Sequence, residues 1–310
     1  MKITKGGLIY KPKGNFPWSR SHAQVPFPVK IDTNQIRVFF STRDNKNRSA
    51  VSFIDIDEKD PSRVIYVHSK PCLEYGELGC FDESGVMPSW LVKDKNKILL
   101  YYTGWNRSES ASYRLAIGLA ESRDNGLTFD RVFKGPILER GPEDPIWVAQ
   151  PCVLYEKGVW KMWYLACQKI EYINNHPEPF YNVKYATSPD GIHWKKQNKV
   201  CIGFDTHTDA IGRPCVWKSN NRYFMMHSNR KADDYRKIAS AGYRLEMSAS
   251  ADGIHWRKNL GFKFKKSKAG WDKIMNEYSA IFETAPNKYI VFYNGYGFGK
   301  SGFGYFILEL

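Results

Sequence analysis

Four carboxylates stand where they could act on one substrate: Asp82 and Glu83 in "FDESGVMP", Asp209 in "TDAIGRP" and Glu277 in "IMNEYS". Each lies shortly before a Pro or Ser that opens an apolar strand. Equivalent stretches elsewhere supply Arg20, His22 and Gln24 in "SRSHAQVP", Trp147 and Gln150 in "PIWVAQP", Arg213 beside Asp209, and Tyr278 beside Glu277. Acid, base, amide and aromatic at one position of a repeating pattern suit a polar ligand site, whereas a narrow structural pore needs only Ser, Thr or Gly. Paired carboxyls in unlike environments can divide the roles of proton donor and of base or nucleophile.

The elements that would position these residues are repeated. "QVPFPVKIDTNQIRVFFSTRD", "GVMPSWLVKDKNKILLYYTGWN", "AQPCVLYEKGVWKMWYLACQ", "GRPCVWKSNNRYFMMHSNR" and "NEYSAIFETAPNKYIVFYNGYG" share one pattern. Their anchors, Pro26, Pro88, Pro151, Pro214 and Ser279, recur every 62 to 65 residues. Each copy predicts an apolar strand, a polar turn and an aromatic strand. Third strands follow in "YRLAIGLAES", "YNVKYATS", "YRLEMSAS" and "GFGYFILEL". After three of these, "RDNGLTF", "PDGIHW" and "ADGIHW" place Asn-Gly or Asp-Gly in a tight turn before an aromatic that opens a fourth strand. No window holds a 3.6-residue periodicity, so little helix is expected. A four-stranded antiparallel unit repeated five times predicts an all-β, five-bladed β-propeller forming a single domain over 1–310. The N-terminal "GGLIYKP" is expected to add the missing outer strand of the last blade and close the ring. Inner strands of a propeller line its channel, so the varied polar residues should converge at one mouth.

The chain has 310 residues, with 15% aromatics and a formal net charge of +14. Aromatics suit strands and also sugar-binding walls, where Trp18, Trp105, Trp147 and Trp271 are candidates. The positive charge points to an anionic partner. Nucleic acid is not expected, because Lys and Arg are scattered and no basic helix, RNP motif or zinc finger occurs. No apolar stretch reaches signal-peptide or membrane-span length. Six cysteines without CxxC spacing read as free thiols of a cytoplasmic protein. No metal motif is evident and no cofactor is expected. "GYGFGKSGFG" departs from a phosphate-binding loop and reads as a hairpin rim.

With the repeats and the acids before them, "YATSPDGIHW", "RPCVW" and "YNGYGFGKSGFG" resemble the five-bladed propeller superfamily of glycoside hydrolase families 43, 32, 62 and 68 and the family 130 mannoside phosphorylases, in its glycosidase-like branch. That resemblance implies a carbohydrate-active enzyme at a glycosidic bond. The hydrolases of the group carry an Asp on blade one, an Asp on blade two and a Glu acid on blade three. Here blade one offers His22 and Gln24, and blade three Gln150, with Glu143 and Asp144 further upstream. Hydrolysis would therefore use Glu83 and Glu277 as the pair, with Asp209 tuning pKa or binding a hydroxyl, while Asp82, Trp147 and Tyr278 contact the sugar. Phosphorolysis, or transfer from a nucleotide sugar, needs one acid, with Arg20, Arg43, Arg213 and Lys300 holding the anion. A sugar-binding propeller without catalysis is the third reading. The expected partner in all three is a carbohydrate or sugar phosphate.

Overall fold

The computed structural model describes residues 1–258 and 260–310. Among the described residues the regular structure is β-strand, without helix, and no helix is long and apolar enough to cross a membrane. Strand β1 (Lys2–Tyr10) is followed by five antiparallel meanders. The first is β2 (Ser21–Asp32), β3 (Gln35–Arg43), β4 (Ser49–Asp57) and β5 (Val64–Val67). The second is β6 (Gly85–Asp94), β7 (Lys97–Asn106), β8 (Arg114–Ser122) and β9 (Asp130–Arg131). The third is β10 (Trp147–Glu156), β11 (Val159–Ile173), β12 (His176–Ser188) and β13 (Lys195–Ile202). Then come β14 (Ala210–Ser219), β15 (Arg222–Arg230) and β16 (Arg244–Ser250), and last β17 (Glu277–Ala285), β18 (Lys288–Asn294) and β19 (Phe303–Glu309).

Single parallel bridges, Ser49 to Gly85 and Tyr181 to Ala210, join meanders one to two and three to four. The strands thus form sheets of eight, seven and four strands. β1 pairs antiparallel with β19, joining the two ends of the chain in one sheet. The first strands adjoin in a closed circuit: β2 with β6, β6 with β10, β10 with β14, β14 with β17, and β17 with β2.

Outer strands are less regular than the repeat predicts. β13 follows Trp194 as expected, but β9 is two residues long and Trp256 is followed only by a bridge between Ala249 and Arg257. The lysines of "LGFKFKKSKAG", beginning at Leu260, are better solvated than paired at a sheet edge.

The turns follow the sequence closely. Asn220 and Asn221 both take positive φ, 48° and 59°, as a two-residue hairpin turn requires. Gly191 and Gly253, at φ 77° and 81°, do more than turn the chain. The Tyr101 hydroxyl donates to the Gly191 carbonyl at 2.9 Å, and the Trp163 indole to that of Gly253 at 2.7 Å. A large ring of one meander thereby locks onto the turn of the next. A side chain at Gly253 would meet the Trp163 ring at 3.0 Å. One hydrophobic cluster runs through all five meanders, and the cysteines are unpaired, five of them buried and Cys80 partly exposed.

Candidate functional site

Every first strand skips register at its anchor: between Gln24 and Phe27, Pro88 and Trp90, Ala149 and Cys152, Gly212 and Cys215, and Glu277 and Ala280. In four of them the residue just before the anchor is left-handed: Val25 at φ 56°, Gln150 at 46°, Arg213 at 37° and Tyr278 at 53°. Non-glycine residues in this region cost on the order of 1–3 kcal/mol each, so the surroundings must hold them there. They do so through the freed amides. Val25 donates to Asn294 Oδ1 at 2.8 Å, Gln150 to Thr103 Oγ1 at 2.8 Å, and Tyr278 to Ser228 Oγ at 3.0 Å. Each acceptor sits on the second strand of a neighbouring meander. Leu165 occupies that place on β11 and cannot accept, and Gln150 substitutes: its Oε1 takes the Arg213 amide at 2.9 Å. The bulges re-aim side chains at one mouth of the circuit.

A cavity of about 320 Å³ opens there, lined among others by Gln24, Gln150, Tyr278, Trp147 and Arg43. These five sequence candidates are brought together, and Trp105 lines the same cavity. Much of the wall is aromatic. Trp147 lies 5.2 Å from the Tyr181 ring and 6.2 Å from Tyr113, centroid to centroid, and Tyr243 lies 5.9 Å from Tyr278. The Trp147 indole nitrogen is buried without a partner. Phe298, from the glycine-rich stretch, closes one side.

Three guanidinium groups reach the cavity. Arg230 is 1% exposed, bonded to the Tyr243 hydroxyl at 3.2 Å and to the carbonyls of Lys231 and Pro179. Arg236 is paired with Glu178, which also takes His176 Nδ1 at 3.0 Å and lies 3.9 Å from Arg230. Arg43 has only Gln24, whose Oε1 it reaches at 3.0 Å. No carboxylate lines the cavity among the described residues.

Glu277 is fully buried at the start of β17, next to cavity-lining Tyr278. Its Oε1 accepts the amide of cavity-lining Phe298 at 3.4 Å, and its Oε2 has no partner. Burial pushes its carboxyl well above the usual range, against the opposing pull of the Phe298 amide, Arg230 and Lys266, and so favours the protonated form.

The other candidates lie elsewhere. Glu83 is a turn residue whose Oε2 accepts the Gly79 amide at 2.7 Å, so it does not meet Glu277 at the cavity wall. Glu83→Gln keeps an acceptor for that amide. It should leave the denaturation midpoint unchanged within about 0.5 kcal/mol and leave any turnover intact, as denaturant titration and rate assays would show. Asp209 accepts the Ala232 amide at 2.8 Å and fastens the loop after β15. Asp82 is buried, bonded to Tyr102 and Arg131 at 3.0 and 2.8 Å. Asp144 with Tyr164 and Lys184, and Asp272 with Tyr293 and Lys5, repeat this staple. Arg20 is exposed and donates to the Gly14 carbonyl. Lys300 is exposed near His22, whose Nδ1 lies 2.7 Å from Ser21 Oγ. Burial, then Arg43 and Lys300, push the His22 pKa down to about 3. His22 is therefore neutral and unsuited to donate a proton as imidazolium.

Arg213 fills the circuit's axis. It is 1% exposed, and Nη1 donates at 2.9 Å to the carbonyls of both Pro26 and Tyr278, with a longer contact of 3.4 Å from Nη2 to Ser89. One side chain on β14 thus joins β2, β6 and β17. Burial lowers its pKa to about 10, so it stays charged at neutral pH.

Arg230, Arg236, Tyr181 and Tyr243 were not singled out by the sequence. Tyr181 lies within the third strand β12, Arg230 ends the second strand β15, and Arg236 and Tyr243 lie between β15 and β16, so none stands at an anchor, and the irregular 231–243 stretch carries no periodic signal. No group of three or more potential metal ligands occurs among the described residues.

No known protein-family profile matches the chain. A crystal structure of a glycosyl hydrolase from Bacteroides ovatus superposes over 99% of this chain and 94% of its own, with a TM-score of 0.72 and 15% identity. A second structure comes from a study of family 130 mannoside phosphorylases, reported to contain glycoside hydrolases that target β-1,2 mannosidic linkages in Candida mannan. It covers 99% and 94%, with a TM-score of 0.69 and 13% identity. The chain shares its fold with these glycoside hydrolase structures. The chain belongs to one family with the "Uncharacterized protein MT1551" of Mycobacterium tuberculosis (strain CDC 1551 / Oshkosh), 33% identical over the whole of both chains.

Proposed function

We propose that residues 1–310 form one five-bladed propeller domain, closed by β1, and that the protein is a cytoplasmic carbohydrate-active enzyme handling a glycosidic bond in the cavity at the ring mouth. The observation that carries this reading is the aromatic-walled cavity with the fully buried Glu277, its Oε2 unpartnered, beside it. Tyr and Trp faces suit the apolar faces of sugar rings, and Trp147 Nε1 offers a hydroxyl an unused donor. A carboxyl kept neutral by burial is the form a general acid needs to protonate a departing oxygen. The fold shared with glycoside hydrolases supports the same substrate class.

With Glu83 away at a turn, the geometry favours one-acid chemistry over the Glu83–Glu277 pair. Glu277 protonates the glycosidic oxygen as the anomeric carbon–oxygen bond breaks, and the acceptor attacking that carbon comes with a co-substrate. Phosphorolysis and glycosyl transfer both have this form. The complete burial of Glu277 favours a second reading, a propeller that binds sugar without cleaving it.

Sugar release from a panel of aryl glycosides, with and without inorganic phosphate, separates these readings. Release that depends on phosphate or on an added acceptor sugar is expected. Full-rate hydrolysis without either would restore a two-group hydrolase, and binding without turnover would establish the second reading.

A further inference from the structure

Of the three guanidinium groups around the cavity, Arg236 is paired with a carboxylate, Glu178, which also takes His176. Arg230 is held there by a hydroxyl and two carbonyls and lies 3.9 Å from the same Glu178. Arg43 has no carboxylate of its own among the described residues: its Nε donates to a neutral amide, Gln24, and its two terminal nitrogens have no protein acceptor. Its neighbours are neutral or positive. Tyr113 and Tyr278 stand near it, His22 is uncharged, and Lys300 adds a second cation beside His22. Bringing a guanidinium out of water without a counter-charge costs several kcal/mol, and such groups in proteins are normally paired. A fork of free N–H donors at a cavity wall is the geometry that binds a carboxylate or phosphate through two parallel hydrogen bonds.

We propose that the carbohydrate taken by this cavity bears an anionic substituent, a carboxylate or a phosphate ester, and that Arg43 is the residue that reads it. The proposal rests on the carbohydrate reading above for the sugar and on the arginine alone for the charge. Gln24 orients the guanidinium by holding Nε, which leaves the terminal nitrogens to the ligand. Arg230 and Arg236 add positive potential from elsewhere on the wall without being free to chelate, since protein groups already occupy them.

The test measures thermal stabilisation of the full chain and of Arg43→Gln at constant ionic strength. The ligands are glucuronate, glucose 6-phosphate, inorganic phosphate and neutral glucose, with chloride as the reference salt. The expected result is stabilisation of the native protein by glucuronate or by the phosphates, about tenfold weaker apparent binding in Arg43→Gln, and no difference between the two proteins with glucose. A response to glucuronate alone assigns a uronic acid, a stronger response to glucose 6-phosphate than to inorganic phosphate assigns a phosphorylated sugar, and a response to inorganic phosphate alone overturns the substituent in favour of a phosphate co-substrate. Absence of stabilisation by any of the anions overturns the proposal, and so does equal stabilisation of both proteins. Should Arg43→Gln fail to fold, Gln24→Ala, which frees the guanidinium from its orienting bond, is expected to weaken the anion response severalfold, and an unchanged response would count equally against it. If anions bind as expected but no glycoside is turned over, the charge reading stands and the enzymatic one fails.

Discussion

Glu277→Gln should lose catalysis while the fold is kept or strengthened. A buried carboxyl held protonated has nearly the shape and hydrogen-bonding capacity of an amide, so the replacement fits the same space. What it cannot do is release a proton to a departing oxygen. General acid catalysis contributes about 10²–10⁴-fold, and a loss of that size in turnover is the expected result. The stability effect has a definite sign. The native pKa of Glu277 lies above its ordinary value of 4.5. Above pH 4.5 the unfolded chain therefore gives up this proton while the native state keeps it, and stability falls as pH rises until the native pKa is passed. The variant removes that dependence. Its melting temperature should match the native one near pH 4 and exceed it at about pH 8, as thermal scans across that range would show. A variant that melts lower at the alkaline end would mean that the carboxyl is ionised and paired.

The largest effect on stability is expected at Arg213. Replacing it with Ala leaves the carbonyls of Pro26 and Tyr278 without their shared donor and opens a cavity on the axis of the circuit. Buried groups left unpaired and a void of side-chain size together cost about 3–5 kcal/mol. For a chain of this length that corresponds to a fall of roughly 5–8 °C in melting temperature. Arg213→Lys keeps the charge but cannot span both carbonyls, so an intermediate loss follows. If the alanine variant unfolds at the native denaturant midpoint, the guanidinium is not the clasp that joins these first strands.

Much of the architecture was legible because its causes are local and repeated. Asn220-Asn221 and the Asp-Gly turns name their own backbone conformation, and the anchors name the first strands. The outer strands were less legible, since a Lys-rich edge is decided by solvation and not by strand propensity. At the site, the residues before the anchors were the right place to look: Gln24, Gln150 and Tyr278 line the cavity. Their roles depend on which way a bulge turns each side chain, and that is set by partners in the neighbouring meander. Gln150 and Arg213 look alike in sequence, yet one faces the cavity and the other the axis.

Asp82 teaches the opposite lesson. It bonds a tyrosine 20 residues on, as Asp144 does, and Asp272 one 21 residues on. An acid that recurs with the repeat serves the repeat. Glu277 has Gln24, Val86, Ala149 and Gly212 at the matching positions, so no structural need common to all meanders explains it. Arg43 ends β3, where nothing in the sequence shows that its terminal nitrogens lack protein partners.

The most direct test of the central claim is a crystal structure of Glu277→Gln with a glycoside substrate, which the variant should bind without cleaving. The sugar is expected in the cavity between Trp147 and Tyr278, with its glycosidic oxygen within hydrogen-bond reach of the side chain at position 277. A sugar bound outside the cavity, or one whose glycosidic oxygen lies beyond that reach, would contradict the account.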